Sequence, residues 1–245
     1  MLIFCEDTEL TGRPVSTFQL EAQMLKPAQR WLRKQGLRTK SEFTTPWGVC
    51  DLVGVALNER KAQRRLRQGQ RRPLGRPARL ALLHRIPDVE DETFITLARL
   101  EREFQDWFTP EQLGDELDRL VSWNFIVRPR RNSYQSVNGW LPLHKRIVAV
   151  ELKLNRVEEA LGQAITHLKI ATESYVGLPA AVARRISQGS RRRNFEQHGI
   201  GLLAVHRSRC EVVLHAKAPE NAVDTVFQAY CVERFWDAWV KGSST

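Results

Sequence analysis

Two stretches of the chain are apolar at almost every position. They are Val49 to Ala56 and Ile147 to Leu154, broken only by Asp51 in the first and by Glu151 and Lys153 in the second. Short, β-prone runs of this kind predict strands buried on both faces. Leu37 to Phe43 reads as a strand before the first run, and Thr44 to Gly48 as the turn between them. Ser16 and Thr17 open a helical stretch reaching about Gln35, with capping-box spacing from Ser16 to Gln19 and a stop at Gly36. Pro27 is expected to kink or split it. Phe18, Leu25, Ala28 and Leu32 share one face, and Glu21 falls on the same stripe. After the second run, residues 157 to about 171 predict a helix with Val157, Ala160, Leu161, Ala164 and Leu168 facing inward. Strands follow at 174–178, 200–205 and 210–215, with a helix before the second and a last helix over about 221–240.

The pattern between the two apolar runs is different. From Arg60 to Arg79 there are nine basic residues and no acidic ones, with Pro and Gly from Gly69 onward. This reads as an exposed arm and as a domain boundary. Residues 80–124 are helical in pattern. Leu97, Leu100, Phe104 and Trp107 form one stripe, and Leu113, Leu117 and Leu120 another. Thr109, Pro110 and Gln112 make a strong helix start. Residues 125–137 read as a small hairpin turning near Asn132. Helices followed by a hairpin resemble a winged-helix module. Yet 80–124 carries eleven acidic residues against four basic ones, so its last helix would be repelled from a DNA groove. A protein partner or dimer surface suits this segment as well as DNA does.

Composition narrows the class. Of 245 residues, 42% are hydrophobic and 27% charged, enough for a packed core. The net charge of +10 makes a polyanion a plausible partner. Cysteines at 5, 50, 210 and 231 lack the spacing of a zinc site or disulfide framework, and a cytoplasmic location fits. No apolar run approaches the roughly 20 residues of a membrane span, and the opening residues turn acidic too soon for a signal peptide.

The chemistry lies in the three charges inside the apolar runs. Buried charges persist only when paired or bound to metal. Alternation puts Glu151 and Lys153 on one strand face. Carboxylates on neighbouring strands offer a hard divalent cation oxygen ligands, and a Lys beside them can steady an attacking hydroxide. These are the parts that phosphodiester hydrolysis needs.

A helix with Glu21, a strand, Val49-Cys-Asp51, Val150-Glu-Leu-Lys153 and a following helix with Gln163 together resemble the PD-(D/E)xK, or restriction-endonuclease-like, nuclease superfamily. The resemblance covers residues 15–57 and 145–215. It departs in having Cys50 where Pro is usual, and in the 100 residues between Asp51 and Glu151, which require an insert at a hairpin tip.

The resemblance implies an α/β fold with a mixed sheet flanked by helices, interrupted by a mainly helical, winged-helix-like insert. Residues 1–57 and 145–245 would be the two parts of the nuclease core, and 58–144 the basic arm plus insert. It implies a Mg²⁺- or Mn²⁺-dependent deoxyribonuclease, an endonuclease rather than an exonuclease. Asp51, Glu151, the Leu152 carbonyl and Glu21 would hold metal. Lys153 would be catalytic and Gln163 supporting. The expected DNA-binding residues are Arg64, Arg65, Arg67, Arg71, Arg72, Arg128, Arg130, Arg131, Arg191, Arg192 and Arg193, contacting phosphates rather than bases. Cutting both strands of a duplex would call for a homodimer. The alternative is a catalytically inactive nucleic-acid-binding or assembly protein on the same fold. His167, one turn after Gln163, is the weakest candidate for the site.

Overall fold

In the computed structural model, residues 18–218 and 223–242 are described. The chain forms α1 (Ala22–Lys34), β1 (Arg38–Thr45) and β2 (Gly48–Leu57), and then α2 (Glu59–Arg67) and α3 (Pro77–Arg85). β3 (Ile95–Thr96), α4 (Leu97–Glu103), α5 (Pro110–Ser122), β4 (Ile126–Val127) and β5 (Ser133–Ser136) come next. The second half holds β6 (His144–Leu152), α6 (Val157–His167), β7 (Glu173–Pro179), α7 (Ala180–Gln188), α8 (Arg192–Gln197), β8 (Gly201–Val205), β9 (Cys210–Leu214) and α9 (Thr225–Gly242). The architecture is α/β: a six-stranded mixed sheet flanked by helices.

The sheet order is β1-β2-β6-β7-β8-β9. β1, β2 and β6 are antiparallel, β6, β7 and β8 are parallel, and β9 returns antiparallel. β2 and β6 are interior strands covered on both faces, which is why their sequences are almost continuously apolar. Leu52, Val148, Val150 and Leu152 pack toward Met24, Ala28 and Leu32 of α1. Val53, Val55, Ile147 and Ala149 face the other way, with Asp51 and Glu151 continuing that side by alternation.

Residues 58–143 join two neighbouring antiparallel strands, so the long separation of Asp51 from Glu151 is an excursion from a hairpin. Within it, β3, β5 and β4 form a small antiparallel sheet, β3 lying before α4 and the β4–β5 hairpin after α5. The excursion shares its apolar core with the rest of the chain: Leu80, Leu117, Phe125 and Trp140 join one cluster with Val55, Ile147, Phe235 and Trp236.

Thr109 caps α5 as expected. Its Oγ1 accepts the Gln112 N–H at 3.2 Å, and Gln112 Oε1 accepts the Thr109 N–H at 3.0 Å. Thr109→Ala is expected to cost about 1 kcal/mol in urea unfolding. Leu113, Leu117 and Leu120 are buried beneath it.

Several expectations need correction. Ser16 and Thr17 lie outside the described residues, and the helix starts later, at Ala22. Gln23 Oε1 accepts the N–H groups of Gln19 and Leu20, holding them in a turn. Pro27 does not split α1; it lies buried within a single helix. Trp107 is 53% exposed because α4 ends at Glu103, ahead of the position where the stripe would have carried it inward.

The largest correction concerns residues 60–79, which are not an exposed arm. Residues 59–67 are helical, and Arg65 is fully buried. Its guanidinium pairs with both carboxylate oxygens of Glu233. It also stacks 3.9 Å from the Trp236 ring centroid and 4.5 Å from that of Trp140. Arg79 is buried likewise, its Nε 2.6 Å from Glu116.

Candidate active site

The site lies where β2, β6 and α6 meet. The β2–β6 register sets Leu52 opposite Val150, and one step on sets Asp51 opposite Glu151. Asp51 Oδ2 accepts the Leu152 N–H at 2.7 Å, tying the two strands together at the carboxylates. Glu151 is 1% exposed. Its Oε1 accepts from Lys153 Nζ at 2.7 Å, and its Oε2 lies 3.2 Å from His167 Nε2. Glu21, just before α1, accepts the Leu154 N–H at 3.3 Å and so reaches the end of the same strand. Asp51, Glu151, Lys153 and Glu21 are thus brought together.

Helix α6 reaches these groups through His167, beside Glu151, and Glu159, near Lys153. Glu159, Gln163 and His167 recur every four residues and lie on one face. With Trp47, Val49 and Thr166 they line a cavity of about 250 Å³. Gln163 Oε1 is buried without a hydrogen-bond partner among the described residues. Glu159 lies 3.9 Å from Lys153 and 2.9 Å from Arg156. His167 does lie at Glu151, and Glu159, which the sequence pattern did not single out, shares its helix face. The signal was present in their four-residue spacing from Gln163.

The two strand carboxylates differ electrostatically. Burial, aided by the nearby carboxylates Glu151 and Glu21, pushes the Asp51 carboxyl above its usual range, against the Leu152 N–H and Lys153. Burial also opposes the charge on Glu151, but hydrogen bonds from His167 and Lys153 outweigh it and hold that carboxyl below its usual range. Burial disfavours the Lys153 ammonium, yet its bond to Glu151 and the nearby carboxylates lift it above its ordinary value. For His167, burial is outweighed by hydrogen bonds with Cys50 and Glu151, and the imidazole is raised to about 10. Both site cations therefore serve Glu151, leaving Asp51 without one of its own.

Two expectations follow by linkage. A raised carboxyl favours folding while protonated, and that contribution is lost as pH rises through the folded value. At pH 7 the ionised Asp51 is therefore a burden on the metal-free protein, and Asp51→Asn is expected to raise its Tm; an unchanged or lower Tm would contradict this. His167 has the opposite practical consequence. Its contribution is complete below about 6.5 and disappears as pH rises through about 10. Urea titrations across that window should show stability falling in the wild type and a flatter profile in His167→Gln.

The donor set suits a hard cation. Asp51, Glu151, Glu21 and the Leu152 carbonyl are all oxygen ligands, and a divalent cation would supply the counter-charge Asp51 lacks. As arranged, both Glu151 oxygens are taken by Lys153 and His167, and among the described residues no three His, Cys, Asp or Glu side chains are grouped to hold a metal.

The expected DNA-binding arginines divide into three groups. Arg65 is removed from the set, since its full burial against Glu233 excludes contact with any phosphate. Arg67, Arg71, Arg72, Arg130, Arg131 and Arg193 are exposed. Arg64, Arg128, Arg191 and Arg192 engage surface carboxylates, Glu90, Asp118, Glu158 and Glu196 respectively. Such exposed pairs are weak enough to be exchanged for a phosphate. Arg191 lies 3.8 Å from Glu158 of α6.

No protein-family model matches the chain, and no curated protein matches it. Among solved structures, a protein of unknown function from Silicibacter pomeroyi, SPO1766, aligns over 93% of this chain and 91% of its own, with 10% identity and a TM-score of 0.42.

Proposed function

We propose that the chain is a metal-dependent nuclease that hydrolyses phosphodiester bonds in DNA, acting as an endonuclease. The observation that carries this reading is the carboxylate pair on adjacent interior strands, Asp51 beside Glu151, with Lys153 on the same strand face as Glu151. A buried constellation of this kind is costly to keep without a ligand. Asp51, Glu151, Glu21 and the Leu152 carbonyl would hold Mg²⁺ or Mn²⁺, which when bound supplies Lewis acidity toward the phosphate and the attacking water. The Lys153 ammonium stabilises charge developing on the phosphate. Gln163 offers its unpaired oxygen to the substrate. Arg191, Arg192 and Arg193 would contact the phosphate backbone. The helices and three-stranded sheet of 77–136 form the winged-helix-like insert of this reading, and a protein partner or second copy is its most natural contact because its last helix is acidic.

The competing reading is a catalytically inactive nucleic-acid-binding or assembly protein. One observation favours it: Lys153 and His167 already satisfy both oxygens of Glu151. Calorimetric titration with Mn²⁺ separates the two. The nuclease reading requires saturable binding that disappears in Asp51→Ala. Absence of binding in the wild type favours the inactive protein.

A further inference from the structure

The outer face of α1 is a row of cations. Lys26, Arg30, Arg33 and Lys34 are spaced i, i+4, i+7 and i+8, so they share one side of the helix. All four are exposed, while Met24, Pro27, Ala28 and Leu32 on the other side are buried. At roughly 1.5 Å per residue the row runs about 12 Å. No acidic residue lies within the helix.

The row continues onto the turn between β8 and β9. Arg30 Nη2 donates to the Arg207 carbonyl at 3.3 Å, and the His206 N–H donates to the Arg209 carbonyl at 2.8 Å, closing that turn. Arg207 and Arg209 are exposed as well. None of these six cations is ion-paired among the described residues. Arg64, Arg128, Arg191 and Arg192 differ, since each of them meets a carboxylate.

Six like charges with no carboxylate among them repel one another, and an anionic partner relieves the repulsion. Four of the six are arginines, whose planar fork matches the oxygens of a phosphate. The other exposed residues of α1 are Ala22 and Gln23, so its outer face has no large apolar side chain to enter a lipid surface. Nor does it offer an aromatic face on which an unpaired base would stack; Trp31, on the flank, is half-buried against Tyr175. We infer that the outer face of α1 and the β8–β9 turn form a second nucleic-acid site, which grips the phosphate backbone of duplex DNA without reading bases. α1 packs on the sheet face opposite to Asp51 and Glu151, so this surface is distinct from the carboxylate site. The choice of DNA as the polyanion rests on the proposed nuclease activity.

The test is fluorescence-anisotropy binding of a labelled duplex of about 20 bp to the full chain, between about 50 and 200 mM salt, with EDTA to prevent cleavage. The double variant Arg30→Ala/Arg33→Ala should bind roughly tenfold more weakly, with a salt slope shallower by about 2, since each lost phosphate contact removes about 0.9. Lys26→Ala/Lys34→Ala should do the same. The side chains it removes make no hydrogen bond among the described residues, so it decides alone if the arginine variant does not fold. Arg85→Ala/Arg99→Ala deletes the same charge from two arginines held by Glu103, and should leave affinity and slope unchanged. Undiminished binding in both α1 variants, or an equal loss in Arg85→Ala/Arg99→Ala, would overturn the inference. So would α1 variants that keep DNA binding but lose binding to phosphatidylserine vesicles, which would assign the face to a membrane. Binding that depends on α1 without any cleavage in Mg²⁺ or Mn²⁺ would count against the nuclease and not against this site.

Discussion

On the proposed nuclease reading, Asp51→Ala is expected to lower metal-dependent DNA cleavage by on the order of 10³-fold, the scale of losing one electrostatic stabiliser from a preorganised site. The reason is positional. Glu151 is hydrogen-bonded to two cations, Lys153 and His167, whereas Asp51 is hydrogen-bonded to the Leu152 N–H and feels Lys153 less directly, among neighbouring carboxylates. Asp51 is therefore the group with most to gain from a divalent cation, and on the proposed reading its removal would take away a metal ligand. The variant should fold, because the lost carboxylate was a burden on the metal-free protein. Its near-ultraviolet circular dichroism should match the wild type while single-turnover cleavage collapses. Residual cleavage within tenfold of wild type would show that Asp51 is not a ligand.

The second large effect is on stability. Arg65→Ala is expected to cost about 3–5 kcal/mol, since it strands the Glu233 carboxylate in the core. It also removes the cation stacked on Trp236 and Trp140 and the bonds to the carbonyls of Gln70 and Arg72. Arg65→Lys should recover little, because one ammonium cannot replace the two-pronged contact with Glu233. Urea unfolding measures this. In variants that stay folded, DNA affinity should be unchanged, in contrast to Arg193→Ala. A cost below about 1 kcal/mol would mean that the Arg65–Glu233 pair does not hold α2 to α9.

These two residues also mark what the amino-acid pattern could and could not reveal. Asp51 was legible because β2 is buried on both faces, so a single charge interrupts an otherwise apolar run. Glu151 and Lys153 stood out in β6 for the same reason. Thr109 and Gln112 were legible because a capping box is local. Arg65 was hidden in a basic run that reads as solvated. The residues that bury it, Glu233, Trp140 and Trp236, lie far away in sequence, and no local pattern announces them. His167 was obscured differently. A lone histidine beside an apolar stripe resembles a core residue until Glu151 and Cys50 are placed next to it. The start of α1 was misplaced because Gln23 closes a turn that helix periodicity does not distinguish from a first helical turn.

The most direct test of the proposed nuclease activity is a cleavage assay. Linear, nicked-circular and single-stranded DNA would be incubated with the full chain and Mg²⁺ or Mn²⁺, with and without a chelator, beside Lys153→Ala. A nuclease of this kind cuts only with the metal, stops with the chelator and loses cutting in Lys153→Ala. No cutting of any form with either metal, or cutting that persists equally in Lys153→Ala, would contradict it.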